Sequence, residues 1–448
     1  MLRISKFSKR AVLLLSALVL TAGLTIPSVS AAEETTSQVK NVIILIPDGM
    51  SVGATTLTRW YQGGAPLALD EMASGLVRTY SADAPIADSA PGGTALATGY
   101  KSHTGFVGVL PDENTMPGLG KIADEDKRKP VASVLEAARL AGKSTGIIAT
   151  SEFMHATPAD FTAHYPDRSN YDALSEQQVY ADLDVVLGAG YQYLQPDVRK
   201  DKEDLIQVLK SRGYDYVTTP EAMRASTNDK LWGLFAPTSL DYEMDRDPTK
   251  QPSLAEMTSK AIDVLSRNDN GFFLMVEGSK IDWAAHANDP IGIISDVAAF
   301  DDAVAVALNY AKKHQDTAVV SVTDHGNGGI TIGNIDTSRN YDKLPLSYFI
   351  DPLKKAKLTG EGIAGKLNNK KLFVLAREAF EQKGAKVVWN NEDVNNPIVV
   401  VTKGNDTLEL PVYKSVAILN GKHIQLDGVV VFNGKKTYVP QSAIDLLP

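Results

Sequence analysis

Acidic side chains stand at the ends of three apolar runs. Asp48 follows Val42-Ile43-Ile44-Leu45-Ile46-Pro47, Glu277 follows Phe272-Phe273-Leu274-Met275-Val276, and Asp324-His325 follow Val319-Val320-Ser321-Val322-Thr323, with a glycine next each time. Carboxylates and imidazoles gathered in this way are the donors that hard and borderline divalent cations take. Asp282 and His286 are four apart, just beyond Glu277, so on a helix they share one face and reach one ion. Standing alone the pair would read as a surface contact; with Glu277 upstream it reads as part of a metal site. The nucleophile candidate is Ser89, in Ile86-Ala87-Asp88-Ser89-Ala90-Pro91-Gly92-Gly93. Small residues after it let a helix begin close to a ligand, and the free amides of a helix start suit an anion. A serine before a helix is most often a cap. No Gly-x-Ser-x-Gly elbow surrounds this one, so activation by a metal explains it better than a serine hydrolase triad does.

The elements that must carry these residues are nearly continuous apolar strands at Val42–Ile46, Ser144–Ala149, Phe272–Val276 and Thr317–Val322, separated by helical stretches at Val131–Ala141, Leu254–Arg267 and Asp296–Lys313. That alternation predicts an α/β fold with a mainly parallel central sheet and helices on both faces. In such sheets the ligand crevice lies beyond the carboxyl ends of the strands, so acids distant in sequence can converge there. The polar stretch from about Pro166 to Lys250 reads as an insertion beside the sheet. After about Gly360 the texture changes to short alternating strands at Lys386–Trp389, Pro397–Thr402, Thr407–Val412, Ser415–Leu419 and Val429–Phe432, with turn signals at Asn420-Gly421 and Asn433-Gly434. Asn368–Val374 is echoed 65 residues later by Asn433–Val439, each followed by a short helical stretch, which makes a weak two-unit repeat. A small C-terminal β-rich domain is therefore expected.

The 448 residues are 44% hydrophobic and 22% charged, enough for a sizeable core, and the absence of cysteine removes thiol catalysis, disulfides and thiolate-held zinc together. Arg3, Lys6, Lys9 and Arg10 precede an apolar run from Ala11 to about Ile26 and then Val29-Ser30-Ala31, the pattern of a secretory signal cleaved near Ala31. The run is shorter than the roughly 20 residues a membrane-spanning helix needs. Removing residues 1–31, with four basic and no acidic residues, takes the net charge from -9 to -13. A specific nucleic-acid partner is not expected of such a chain, and the mature protein is expected to be secreted or at the cell surface with no transmembrane segment.

Taken together, Pro47-Asp48-Gly49-Met50, Asp88-Ser89-Ala90, His155-Ala156-Thr157-Pro158-Ala159 with Arg168, Glu277 through His286, and Thr323-Asp324-His325 resemble the motifs of the alkaline phosphatase family, in order, over about residues 39–345. The C-terminal part resembles the module named after the N-terminal region of copper amine oxidases. The domains expected are a signal peptide at 1–31, an alkaline phosphatase-like domain at 32–360 that lacks its final segment, and the β-rich module at 361–448. The phosphatase resemblance implies hydrolysis of phosphate monoesters through a phosphoserine at Ser89, with two Zn2+ and one Mg2+. It implies Asp282 and His286 for the first zinc, Asp48, Asp324 and His325 for the second, Asp48, Thr157 and Glu277 for magnesium, and Arg168 as the phosphate clamp. His155 and Trp283, which other members replace by a carboxylate and a lysine, would tune the third metal from behind its ligands. A further zinc-binding histidine followed by Thr-Gly is expected downstream in the family. Here only His423 lies beyond His325, in the appended module, where it reads as a surface histidine; His103-Thr104-Gly105 lies 14 residues after Ser89, where the family has a different turn, and does not take that role. A weakened first zinc site and an exposed sheet edge follow from this reading. The competing readings are a catalytically impaired phosphatase-like protein that binds a cell-surface partner through its module, and a phosphodiesterase of the same superfamily.

Overall fold

The computed structural model describes residues 38–332, 344–360, 373–390, 397–412, 414–426, 430–432 and 436–447. The signal-peptide expectation, the first half of the repeat before Phe373 and the Asn433-Gly434 turn lie outside the described residues. Seven strands form one parallel sheet: β1 (Asn41–Ile46), β2 (Ser144–Glu152), β3 (Val185–Ala189), β4 (Asp215–Val217), β5 (Leu231–Leu234), β6 (Phe272–Glu277) and β7 (Thr317–Ser321). Their order is β4-β5-β3-β2-β6-β1-β7. Successive side chains of a strand point to opposite faces, and both faces are apolar here. Ile43, Leu45, Leu274 and Val276 enter one core, and Ile44, Ile46, Phe273 and Met275 the other. The first core is closed by helices at Leu254–Leu265 and Pro290–Lys313, and the second by Ser89–Thr98 and Val134–Leu140.

Two expectations need correction. The stretch read as an insertion beside the sheet supplies β3, β4 and β5, so it is part of the sheet itself. The helix expected from Asp296 begins six residues earlier, because Pro290 occupies its first turn and Asp289 caps it by accepting a hydrogen bond from Ile291 N at 3.0 Å. β7 ends the sheet with no strand on its outer side among the described residues, and Val320 is exposed.

The C-terminal part has its own core, built on Phe380, Val401, Leu408 and Leu410. It holds a five-stranded antiparallel sheet of β9 (Lys386–Asn390), β10 (Ile398–Lys403), β11 (Asp406–Pro411), β12 (Val416–Leu419) and β13 (Lys422–Gln425). A three-stranded sheet is made of β8 (Phe373–Leu375), β14 (Val431–Phe432) and β15 (Thr437–Pro440). Short helices at Ala376–Gln382 and Gln441–Ile444 follow β8 and β15, as the repeat predicts, and the two strands pair with each other. His423 is exposed on β13.

Candidate active site

β6, β1 and β7 lie side by side in the sheet, so their carboxyl ends meet although β1 is 231 residues from β6 and 276 from β7 at the paired positions Asn41, Phe272 and Thr317. Asp48, Glu277, Asp324 and His325 are delivered there, all buried. Gly49 has φ +65, and a Cβ on it would stand 2.6 Å from Asp282 Oδ1, so only glycine lets the chain turn at this point with Asp282 in place. Ser89 opens the helix α1 (Ser89–Thr98), whose first turn lies against the end of β7: a Cβ on Gly92 would stand 2.9 Å from the Asp324 carbonyl.

Ser89 Oγ is 3.1 Å from His325 Nε2 and 3.5 Å from Asp48 Oδ1. His325 Nε2 is in turn 3.3 Å from Asp48 Oδ1, 3.7 Å from Asp324 Oδ2 and 3.9 Å from Asp282 Oδ1. Among the described residues two triads place their potential ligand atoms within 4.8 Å of one another: Asp48 with Asp324 and His325, and Asp48 with His155 and Glu277. Thr157 adjoins the Glu277 carboxylate. His155 places a ring nitrogen within that second group of potential ligand atoms, and its ring also meets Trp283 edge-on at 5.8 Å. Burial, with the Arg168 charge adding, holds His155 well below the usual histidine range, so its imidazole is neutral. Asp282 and His286 occur in neither triad; His286 Nε2 is 3.4 Å from Asp282 Oδ1 and its side chain is 65% exposed.

Electrostatically the acids of the cluster repel one another. Burial raises Asp48 well above the usual carboxylate range, and the charges of Asp324, Asp282 and Glu277 push it further. Burial raises Glu277 to about 8 against the opposing hydrogen bond from Ser279, and burial raises Asp282 despite the attraction of His286 and His325. Asp48 Oδ2, Glu277 Oε1 and Asp324 Oδ2 are buried without a hydrogen-bond partner. Repelling, under-satisfied buried oxygens of this kind fit divalent cations, whose charge reverses the local pKa logic.

Opposite the acids, Arg168 donates to Asp88 Oδ1 and its Nη2 lies 3.0 Å from His155 Nε2. The turn His103-Thr104-Gly105 fixes this pair: Gly105 N donates to Asp88 Oδ2 at 3.0 Å, and the Gly105 carbonyl accepts from Arg168 N at 2.8 Å. Sequence reasoning missed two residues. Asp88 was visible only as the neighbour of Ser89, and Asn327, two residues after His325, donates from Nδ2 to Asp282 Oδ1 at 2.7 Å. The site opens into a cleft of about 620 Å³ that includes Ser89, Arg168, Asp282, His286 and His325.

A serine beside a buried acid and histidine cluster, faced by an arginine, at the carboxyl end of a parallel sheet is the arrangement that a hydrolase site for an anionic ester uses. The alkaline phosphatase family model matches residues 39–357, and the chain belongs to the alkaline phosphatase family. Its class is therefore that of phosphomonoesterases. The copper amine oxidase N-terminal domain model matches residues 362–445. Alkaline phosphatase 4 of Bacillus subtilis (strain 168) is 40% identical over 372 residues, covering 78% of this chain and 74% of that protein. The crystal structure of a cold-active alkaline phosphatase from the psychrophile Shewanella sp. superposes with a TM-score of 0.62 at 31% identity, over 72% of this chain and 76% of that one. A His-to-Asp variant of the alkaline phosphatase from the Antarctic bacterium TAB5, with magnesium bound in its M3 site, gives 0.58 at 32% identity over 66% of this chain and 81% of that one.

Proposed function

We propose that the protein is an exported, metal-dependent alkaline phosphatase that hydrolyses phosphate monoesters through a phosphoserine at Ser89. The observation that carries this reading is Ser89 Oγ, buried within 3.5 Å of both His325 and Asp48, in a cluster of carboxylate oxygens that lack donors. Asp48, Asp324 and His325 would hold one Zn2+, Asp282 and His286 the other, and Asp48, Thr157 and Glu277 one Mg2+, with His155 and Trp283 supporting the magnesium position. When bound, these cations supply the positive charge that lowers the pKa of the Ser89 hydroxyl and of the hydrolytic water and that offsets charge on the leaving oxygen.

The chain's own residues do the rest. Ser89 Oγ gives up its proton to solvent and attacks phosphorus, so that an Oγ–P bond forms as the bond from phosphorus to the ester oxygen breaks; the leaving alcohol takes a proton back from solvent. Water then attacks the phosphoserine, phosphate departs, and Ser89 recovers its proton. Arg168, held by Asp88 and by the Gly105 carbonyl, presents its fork to two phosphoryl oxygens. The Ser89 and Ala90 amides at the start of α1 favour the same negative charge.

Export after cleavage near Ala31 belongs to this reading, supported by the basic and apolar N-terminal pattern. Among the described residues no helix is long and apolar enough to cross a membrane. A second reading, a catalytically impaired member, is favoured by the first zinc position, where Asp282 and His286 stand outside both ligand triads. A phosphodiesterase has no specific observation in its favour. The test is phosphate release from an aryl phosphate at alkaline pH by the mature chain, stripped with chelator and then given zinc and magnesium. Metal-restorable turnover that Ser89→Ala lowers by about a thousandfold or more, with loss of acid-stable 32P labelling at that serine, supports the phosphoserine path. Folded protein inert in all metal conditions supports the impaired reading.

A further inference from the structure

The catalytic cleft is not lined by the phosphatase domain alone. Phe432, on β14 of the C-terminal module, stands in the same cleft as Ser89 and Arg168. On the phosphatase side Ile86, three residues before Ser89, lines that cleft as a residue 80% exposed. The cleft thus has a charged floor and an apolar lip made from both domains. Phe432 is backed by Trp389 of β9, with ring centroids 4.4 Å apart and planes inclined at 38°. Behind that pair lies a second cleft of about 300 Å³, which shares Phe432 and is lined by Leu375, Val387, Trp389 and Val399.

The placement of Phe432 is tied down at the domain junction. Thr359 is fully buried and donates from N to Asp245 Oδ1 at 3.1 Å and from Oγ1 to the same carboxylate. Gly360 N donates to buried Asp289 Oδ2 at 2.7 Å, and the Tyr438 ring lies so close over Gly360 that a Cβ there would be 2.8 Å from its Cζ. Tyr438 sits on β15, the strand that pairs with β14. The junction therefore fixes the strand next to the one bearing Phe432.

We propose that the module completes the substrate site: Phe432, stiffened by Trp389, and Ile86 form a leaving-group subsite that selects phosphate monoesters of flat aromatic alcohols over those of small polar alcohols. A phosphoryl group on Ser89 and Arg168 sends its ester oxygen outward to the lip, where an aromatic ring finds an aromatic face and an aliphatic one. Such pairing is worth more than its buried area alone and is lost when the ring is truncated.

The inference rests on the phosphatase reading, and its test separates the two. The ratio of kcat/KM for phenyl phosphate to that for glycerol 2-phosphate is measured in the wild-type protein, Phe432→Ala, Phe432→Trp and Ile86→Ser, together with the inhibition constant of inorganic phosphate. Phe432→Ala is expected to lower the ratio about fivefold through KM for phenyl phosphate, with Phe432→Trp restoring it and phosphate inhibition unmoved. Ile86→Ser, an exposed position, is expected to lower it in the same direction and stands in if Phe432→Ala misfolds. Equal changes for both esters, or none, overturn the subsite. If no ester turns over, the phosphatase reading fails on its own. The subsite is then judged by calorimetric binding of phenylphosphonate against methylphosphonate, where an unchanged preference in Phe432→Ala overturns it.

Discussion

Arg168 is useful as a phosphate clamp only if its fork is aimed, and the aiming is done by Asp88 and the Gly105 turn rather than by packing alone. A charge-assisted pair of this kind orients as well as binds. Asp88→Asn keeps the shape and removes the charge, so the inhibition constant of inorganic phosphate is expected to rise about tenfold, with a smaller change in kcat. Arg168→Lys is expected not to restore binding, since an ammonium lacks the planar fork. An unchanged inhibition constant in both would remove Arg168 from the phosphate site. Much of this site was legible in the sequence because Asp48, Glu277, Asp324 and Ser89 each follow an apolar run or open a helix, where position along the chain already says where a side chain ends up. Asp88 and Asn327 were not legible as participants. Their work is to hold another side chain, and a partner such as Asp282, 45 residues from Asn327, leaves no local signal.

At the level of elements, the first turn of α1 touches the carboxyl end of β7 without room for a side chain. The Gly92 Cβ would meet the Asp324 carbonyl at 2.9 Å, and a Cβ on Gly93 would strike the Asp160 carboxylate. Gly92→Ala must therefore push Ser89 away from Asp324 and His325. The expected result is a stability loss of about 1–3 kcal/mol in denaturant titration and, on the proposed phosphoserine path, a much larger fractional loss of turnover, because overpacking here displaces Ser89. A melting loss with normal turnover would show that the contact is structural only. The same spatial economy explains why three of the seven strands carry little strand signal in the sequence. β3 and β5 are five and four residues long and carry Gly188 and Gly233, where a Cβ would stand 2.6 Å from the Ala149 carbonyl and 2.8 Å from the Leu187 side chain. β4 has three residues. Tight strand neighbours demanded glycine in place of the β-branched residues that announce a strand, so the stretch looked irregular.

For the whole molecule, the junction between domains depends on a buried acid. Burial raises Asp289 to about 6, although the backbone amides of Gly360, Gly292 and Ile291 pull it down. An acid held above its unfolded value near 3.8 favours the folded state while protonated, and that advantage is lost as pH rises from about 4 through 6. The loss is on the order of 3 kcal/mol at about 1.4 kcal/mol per pH unit. Asp289→Asn cannot ionise, so relative to the wild-type protein it is expected to gain stability as pH rises over that window, whatever its constant offset from weakening the Gly360 contact. Parallel stability curves for the two proteins would show that Asp289 is ionised in the fold without cost.

The strand order has a consequence in time. β1 is made first, yet its only partners in the sheet are β6 and β7, and its paired residues wait 231 and 276 positions for them. Closing loops of that length makes β1 a late arrival in folding, whatever its own preference for extended chain. Asp48 therefore comes beside Glu277, Asp324 and His325 only when nearly the whole phosphatase domain exists. No partial chain that stops before β7 holds the constellation, so the chemistry switches on with completion of the fold rather than growing by degrees as the polypeptide lengthens.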